Sequence, residues 1–208
     1  MKQIRTLAFM LLALSWLGTA KAAPQHGRPR LVVTMMVDQM TWDYLYRYQA
    51  RFSEGGFKRL LTQGFNCENT RINYIPSVTA IGHSSVHTGS VPAIHGIAGN
   101  DFEKDGKPIY CTEDTSVSTV GAPNGKSGQM SPRNLLASTI GDELKLATDF
   151  KSKVIGVALK DRAAILPAGH SADAVYWWDT SAGHFVTSTY YMDKLPSWAV
   201  EFNKKHQQ

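Results

Sequence analysis

Five polar residues sit where a folded backbone could present them to a ligand. Asp38 directly follows the apolar run Leu31-Val-Val-Thr-Met-Met-Val37. A carboxylate at the end of a buried strand either caps the next helix or holds a cation over the sheet edge. Thr79 stands at the start of Ala80–Thr88, which has helical spacing and a stop at Gly89. A hydroxyl there lies beside free N–H groups and the positive end of the helix dipole, a place that suits a phosphate or a nascent alkoxide. Position alone favours simple capping by Ser77 or Thr79. Asn100 follows Gly96-Ile-Ala-Gly99, a flexible approach from which an amide could donate to an anion. Read alone, it is a turn residue. Lys160 and Arg162 flank Asp161 after the run Lys153–Leu159. Two cations there suit a phosphoryl group, with arginine as a bidentate donor; the plainer reading is a solvated charge cluster.

His83 and His87 share one helix face at i and i+4, a spacing that can bind zinc. Ser84 occupies the place of the glutamate in the His-Glu-x-x-His signature, and no third ligand is near, so the pair reads as structural. There is no G-x-S-x-G elbow, P-loop or C-x-x-C.

These residues need an alternating scaffold to position them. Leu31–Val37 and Lys153–Leu159 read as strands buried on both faces. Trp42–Phe52 and Phe57–Gln63 read as helices, the second stopped by Gly64. Asn69–Ile75 reads as extended and closed by Pro76. Glu103–Gln129, polar and rich in Gly, Ser, Thr and Asp, reads as a long loop. Ser131-Pro132 predicts a helix running to about Thr148. Ala174–Trp178 and His184–Tyr190 read as a hairpin, and Pro196 starts a last helix. The result is an α/β chain with a doubly wound, mostly parallel sheet and helices on both faces, whose ligands belong at the C-terminal ends of strands.

Composition narrows the class. The chain has 208 residues, 43% apolar, with net charge +5 and two cysteines. It is neither disordered nor disulfide-dense. Residues 1–22 have the pattern of a secretory signal peptide. Lys2 and Arg5 precede the apolar run Leu7–Leu17, and Ala20-Lys21-Ala22 is a small-x-small cleavage site. Removing Lys2, Arg5 and Lys21 and no acid lowers the net charge from +5 to +2, so no basic footprint for nucleic acid remains. The leader implies a periplasmic or secreted protein with no stable membrane anchor after cleavage. In that compartment a Cys67–Cys111 bridge is expected over two buried thiols.

The segments together resemble the alkaline phosphatase superfamily, and most closely its secreted bacterial phosphate-irrepressible members with a threonine nucleophile. The likeness rests on Val37-Asp38-Gln39-Met40, Asn73-Tyr-Ile-Pro-Ser-Val-Thr79-Ala-Ile-Gly-His83, Thr88-Gly-Ser-Val-Pro-Ala-Ile-His-Gly-Ile-Ala-Gly-Asn100-Asp101, and Lys160-Asp161-Arg162 with Ile165-Leu-Pro-Ala-Gly-His170.

The resemblance implies hydrolysis of phosphate monoesters through a phosphothreonine at a two-zinc (Zn2+) site. It makes Asp38 and Thr79 ligands of one ion and Thr79 the nucleophile, with Asn100, Lys160 and Arg162 as contacts to the phosphoryl oxygens. The diesterase and nucleotide pyrophosphatase relatives lack the Lys/Arg pair, so its presence favours monoesters. A diesterase, or a non-catalytic secreted phosphate-ester-binding remnant, remains the alternative.

The family's later zinc ligands have no counterpart. After Arg162 the chain offers His170, His184, His206, Asp173, Asp179 and Asp193 outside those motifs. Residues 23–208 therefore read as the N-terminal part of such a catalytic domain, incomplete at the C-terminus. The expected partner is a small phosphate ester, with no nucleic acid, and the expected state is a monomer.

Overall fold

The structure is a computed structural model that describes residues 29–122 and 125–205. The leader at 1–22 lies outside the described residues. The chain forms two units, Met1–Met36 and Val37–Gln208. In the first unit, the described residues 29–36 form neither helix nor strand, and Leu31, Val32, Val33 and Met35 are exposed. The buried strand expected over Leu31–Val37 is therefore absent. A run apolar on both faces becomes a strand only with ladder partners, and no other described backbone pairs with it.

The second unit opens with short helices. The expected Trp42–Phe52 helix is cut to α1 (Tyr44–Arg47) and a 3-10 turn (Gln49–Arg51), because Tyr48 leaves helical geometry at φ −106°, ψ 10°. α2 (Gly56–Gln63) stops at Gly64 as expected. Asn69–Ile75 forms no strand, and all of it but the half-buried Tyr74 is exposed. α3 (Thr79–Thr88) ends at Gly89, whose φ of +65° is left-handed and suits a residue without a Cβ. The short α4 (Pro92–His95) has proline in its first turn.

The presumed loop at 103–129 contains structure. β1 (Asp101–Lys104) and β2 (Lys107–Tyr110) form an antiparallel hairpin closed by Asp105-Gly106, both at positive φ. Asp-Gly is the turn chemistry that such a hairpin demands. β3 (Thr119–Val120) follows.

The helix expected from Ser131 starts later, as α5 (Ile140–Ala147). Ser131 does not cap it; its hydroxyl donates to Asp114 Oδ2 at 2.6 Å. Thr139 caps instead, in a reciprocal capping box with Asp142.

The remaining elements are β4 (Ile155–Ala158), α6 (Asp161–Ala168), β5 (Ala174–Asp179), β6 (His184–Ser188) and α7 (Ser197–Lys205). The sheet order is β3-β6-β5-β4. Its parallel pair is β4–β5, joined through α6; β5–β6 and β3–β6 are antiparallel. Side chains alternate along β5. Val175 and Trp177 join Ala164, Ile165 and Ala168 of α6 in one core, while Tyr176 stacks edge-on against Trp198 of α7 at 5.3 Å. Helices thus lie against both faces of β5. A Cβ on Gly156 would come within 2.6 Å of the Ala164 carbonyl, so glycine permits α6 to lie close on β4.

Two further expectations fail in this unit. β4 is not buried on both faces: Ile155 is 64% and Val157 61% exposed, because only one face and one edge of the strand are covered. Cys67 and Cys111 are free thiols. Cys67 is exposed, while Cys111 is fully buried among Ala80, Ile97, Leu135 and Leu166. Burial and the nearby Asp161 push the Cys111 thiol up to about 12.

Candidate active site

α3 and α6 pack against each other, and their N-termini meet at Asp38. Thr79, the first residue of α3, is 8% exposed and donates its hydroxyl hydrogen to Asp38 Oδ2 at 2.9 Å. Lys160, which precedes α6, places Nζ 3.7 Å from the same oxygen. The capping alternatives do not hold. Asp38 caps no helix, since Asp43 occupies that position for α1. The residue before α3 is Val78, with no side-chain capping bond.

Asn100 supplies the missing cap from twenty residues away. Ala80 N–H donates to its Oδ1 at 3.0 Å. With the amide oxygen committed to α3, the NH2 group is left to donate toward the mouth of the helix. Asn100 is held at the root of the β1–β2 hairpin, where Cys111 N–H donates to its carbonyl at 2.8 Å.

Arg162 lies in the first turn of α6. Its Nη1 donates to Tyr110 Oη at 2.7 Å, and its Nε is buried without a partner among the described residues. Burial alone would lower its pKa, but the Tyr110 hydrogen bond and the charge of Asp161 raise it, so it stays a cation. Tyr110 is itself held protonated by burial and by Asp161. Thus all five residues fall in one neighbourhood: Asp38, Thr79 and Lys160 converge on one oxygen, Asn100 caps the same helix, and Arg162 lies two residues beyond Lys160.

His83 and His87 serve the helix, as expected. Their Nδ1 atoms bond to the carbonyls of Thr79 at 2.8 Å and His83 at 3.0 Å. Burial lowers the pKa of His83, against the opposing pull of that carbonyl and of Asp38. Three of the later candidates are also engaged elsewhere, and His206 lies outside the described residues. His170 bonds to Asp142 and to the Leu135 carbonyl, Asp173 bonds to Lys145 and Lys153, and Asp179 accepts the N–H groups of Ser181 and Ala182.

Asp38 Oδ2 and Thr79 Oγ1 are the oxygens that could be offered to a divalent ion here. Among the described residues no three His, Cys, Asp or Glu side chains form a metal-holding group. A catalytic zinc takes three protein ligands, so the residues present fit one part of such a site. Sequence reasoning missed Tyr110, Thr112 and the role of Asp161. Tyr110 and Thr112 fell in the segment read as a loop, and Asp161 was seen only as the residue between two cations.

Residues 32–207 match the family described as type I phosphodiesterase / nucleotide pyrophosphatase. The chain is 63% identical over 186 residues to a protein of Myroides odoratus named calcium-transporting ATPase, and 57% identical over 181 residues to alkaline phosphatase PafA of Elizabethkingia meningoseptica. These alignments cover 88% and 86% of this chain but 34% and 33% of the relatives. The chain therefore spans about a third of the length of the curated relatives it matches.

A crystal structure of wild-type PafA superposes with a TM-score of 0.79 at 56% identity, covering 81% of this chain and 33% of that one. A second PafA structure, altered at a threonine, an asparagine, a lysine and an arginine, superposes with a TM-score of 0.80 at 54% identity, covering 82% and 34%. No described helix is long and apolar enough to cross a membrane. Matched over nearly all its described length, the chain belongs to the type I phosphodiesterase / nucleotide pyrophosphatase family, within the alkaline phosphatase superfamily.

Proposed function

We propose that this chain carries the nucleophile and phosphoryl-binding part of a phosphomonoesterase. The observation that carries the reading is the convergence of Thr79 Oγ1 and Lys160 Nζ on Asp38 Oδ2, at the meeting point of two helix N-termini. Asp38 Oδ2 accepts the Thr79 hydrogen and so aims an oxygen lone pair away from itself. Thr79 Oγ1 releases its proton and attacks phosphorus; the new O–P bond forms as the bond to the leaving oxygen breaks, and that oxygen takes up a proton. Water then attacks the phosphothreonine and releases a proton, the Thr79 Oγ1–P bond breaks to give inorganic phosphate, and Thr79 Oγ1 regains a proton.

Asn100 Nδ2, Lys160 and Arg162 bind the non-bridging oxygens, where charge spreads in a loose transition state. Asp38 and Thr79 are this chain's contribution to a two-zinc site. Zinc, when bound, lowers the pKa of a coordinated hydroxyl and polarises the ester.

The Lys160/Arg162 pair separates monoester from diester chemistry. A monoester dianion carries one more negative charge than a diester, and desolvating it needs more cationic partners. The residue types altered in the second PafA structure match Thr79, Asn100, Lys160 and Arg162, which supports their grouping. The family description names diesterases, so diester hydrolysis is the competing reading. The leader composition supports export to the periplasm or beyond, and the substrate is a small phosphate ester.

The test grafts residues 37–205 in place of the matching third of the E. meningoseptica phosphatase and compares p-nitrophenyl phosphate with its bis-ester. The reading predicts monoester preference. Replacing Lys160 and Arg162 by alanine should hurt the monoester more. Equal loss on both esters contradicts it.

A further inference from the structure

We propose that Tyr110 is a positioning residue whose phenol oxygen fixes the Arg162 guanidinium for the incoming phosphoryl group; this rests on the phosphoryl-binding reading above. A phenol has one hydrogen to give. Here it goes to Asp161 Oδ1 at 2.9 Å, so the Tyr110 oxygen must accept from Arg162 Nη1, at 2.7 Å. Asp161 is fixed in turn, because the buried Thr112 hydroxyl donates to its other oxygen. Each hydrogen in the chain Thr112–Asp161–Tyr110–Arg162 therefore has one assignment: Arg162 donates to Tyr110, and Tyr110 and Thr112 both donate to Asp161.

Arg162 has no second anchor of this kind. Its Nε is buried and unpaired among the described residues, and no other described side chain holds the guanidinium by a hydrogen bond. A long side chain with several rotors, fixed in this way, has lost its freedom before substrate arrives.

The β1–β2 hairpin explains how Tyr110 reaches a residue 52 positions away. Asn100 immediately precedes β1 and Tyr110 ends β2, with Asp101 opposite Tyr110. One hairpin root thus delivers the Asn100 amide to α3 and the Tyr110 phenol to α6.

The experiment uses the full chain and has two arms. In the first, without ligand, the Arg162 guanidinium is followed by side-chain NMR, with Arg162→Lys to assign it. Restricted rotation about Nε–Cζ is expected in the parent chain and fast averaging in Tyr110→Phe.

In the second arm, inorganic phosphate is titrated by calorimetry. Tyr110→Phe should weaken binding about tenfold, the size of one charge-assisted hydrogen bond, and should add nothing once Arg162→Ala is present. Asp161→Asn should act in the same direction, and it carries the test if Tyr110→Phe loses its native near-ultraviolet dichroism. Additive losses, or parent-like affinity and rotation in both variants, overturn the positioning role alone. A parent chain that binds no phosphate overturns the role together with the phosphoryl-binding reading.

Discussion

α3 and α5 are fastened in opposite ways. α3 buries Thr79, Ala80, Ile81, His83, Ser84, Ser85 and His87, and its small side chains let α6 approach closely. α5 buries Asp142 and Lys145 and leaves Ile140, Leu144 and Leu146 exposed, Leu146 at 59%. What holds α5 is polar. Asp142 accepts from Thr139 N at 2.9 Å and Ser171 N at 2.7 Å, and Lys145 Nζ donates to Asp173 Oδ2 at 2.9 Å and to the Ser152 carbonyl at 3.1 Å. The helix that opens with Thr79 is thus set by close packing, which fixes position in all directions. α5 is set by a few directed bonds at its ends, and its leucines contribute little.

The contrast gives a ranked set of expectations. The largest concerns Thr79. In the graft, Thr79→Ala should lower monoester turnover by about 10⁴-fold or more, the scale of losing a nucleophile, while Leu146→Ala in α5 leaves it within about twofold. Steady-state rates check both. Next, joint replacement of Lys160 and Arg162 by alanine should lower monoester kcat/KM about a hundredfold more than diester kcat/KM.

For stability the ranking of residue types within α5 should invert the usual one. Asp142→Ala should destabilise by about 3 kcal/mol, because it strands His170 and two buried N–H groups. Leu146→Ala should stay within about 0.5 kcal/mol. Urea midpoints decide, and a larger effect at Leu146 would break the comparison.

The smallest effects are titrations of the α5 ties. Burial alone would raise the Asp173 carboxyl, but the Val154 N–H, Lys145 and Lys153 hold it down at about 2. Asp142 is likewise depressed by His170 and backbone N–H groups, against burial. A depressed carboxyl stabilises above its unfolded pKa and ceases to as pH falls through its folded one. This contribution is therefore complete above about pH 4 and lost toward pH 2.

His170 faces two acceptors, Asp142 Oδ2 at 3.3 Å and the Leu135 carbonyl at 2.9 Å, and the doubly protonated ring is the form that donates to both. The Asp142 bond raises its pKa. Its contribution is then complete below about pH 6.5 and lost as pH rises through the raised value. The stability gap between the parent and His170→Gln should close at alkaline pH, as read by urea titration from acid to alkali.

Much of the site was legible because each residue follows a visible signal. Asp38 follows an apolar run, Thr79 opens a helix, Asn100 follows a glycine-flanked segment, and Lys160 and Arg162 follow an apolar run that contains a strand. The convergence of Thr79 and Lys160 on one Asp38 oxygen was not legible, since it depends on two helices meeting. Tyr110 was hidden for a simpler reason: β1 and β2 are too short and polar for strand periodicity to show, although Asp105-Gly106 marked their turn.

The strand expected at Leu31–Val37 failed because an apolar run specifies a buried strand only when pairing partners are supplied. Cysteine count suggested a bridge, but Cys111 packs into the core beside α3 while Cys67 lies in an exposed segment.

The central claim is that Thr79 forms a covalent bond to phosphorus, and trapping it is the most direct test. The graft, quenched in acid during turnover of a phosphate monoester, should carry the mass of one phosphoryl group on the peptide containing Thr79, and Thr79→Ala should carry none. A phosphoryl group trapped elsewhere, or undiminished turnover by Thr79→Ala, would contradict the account.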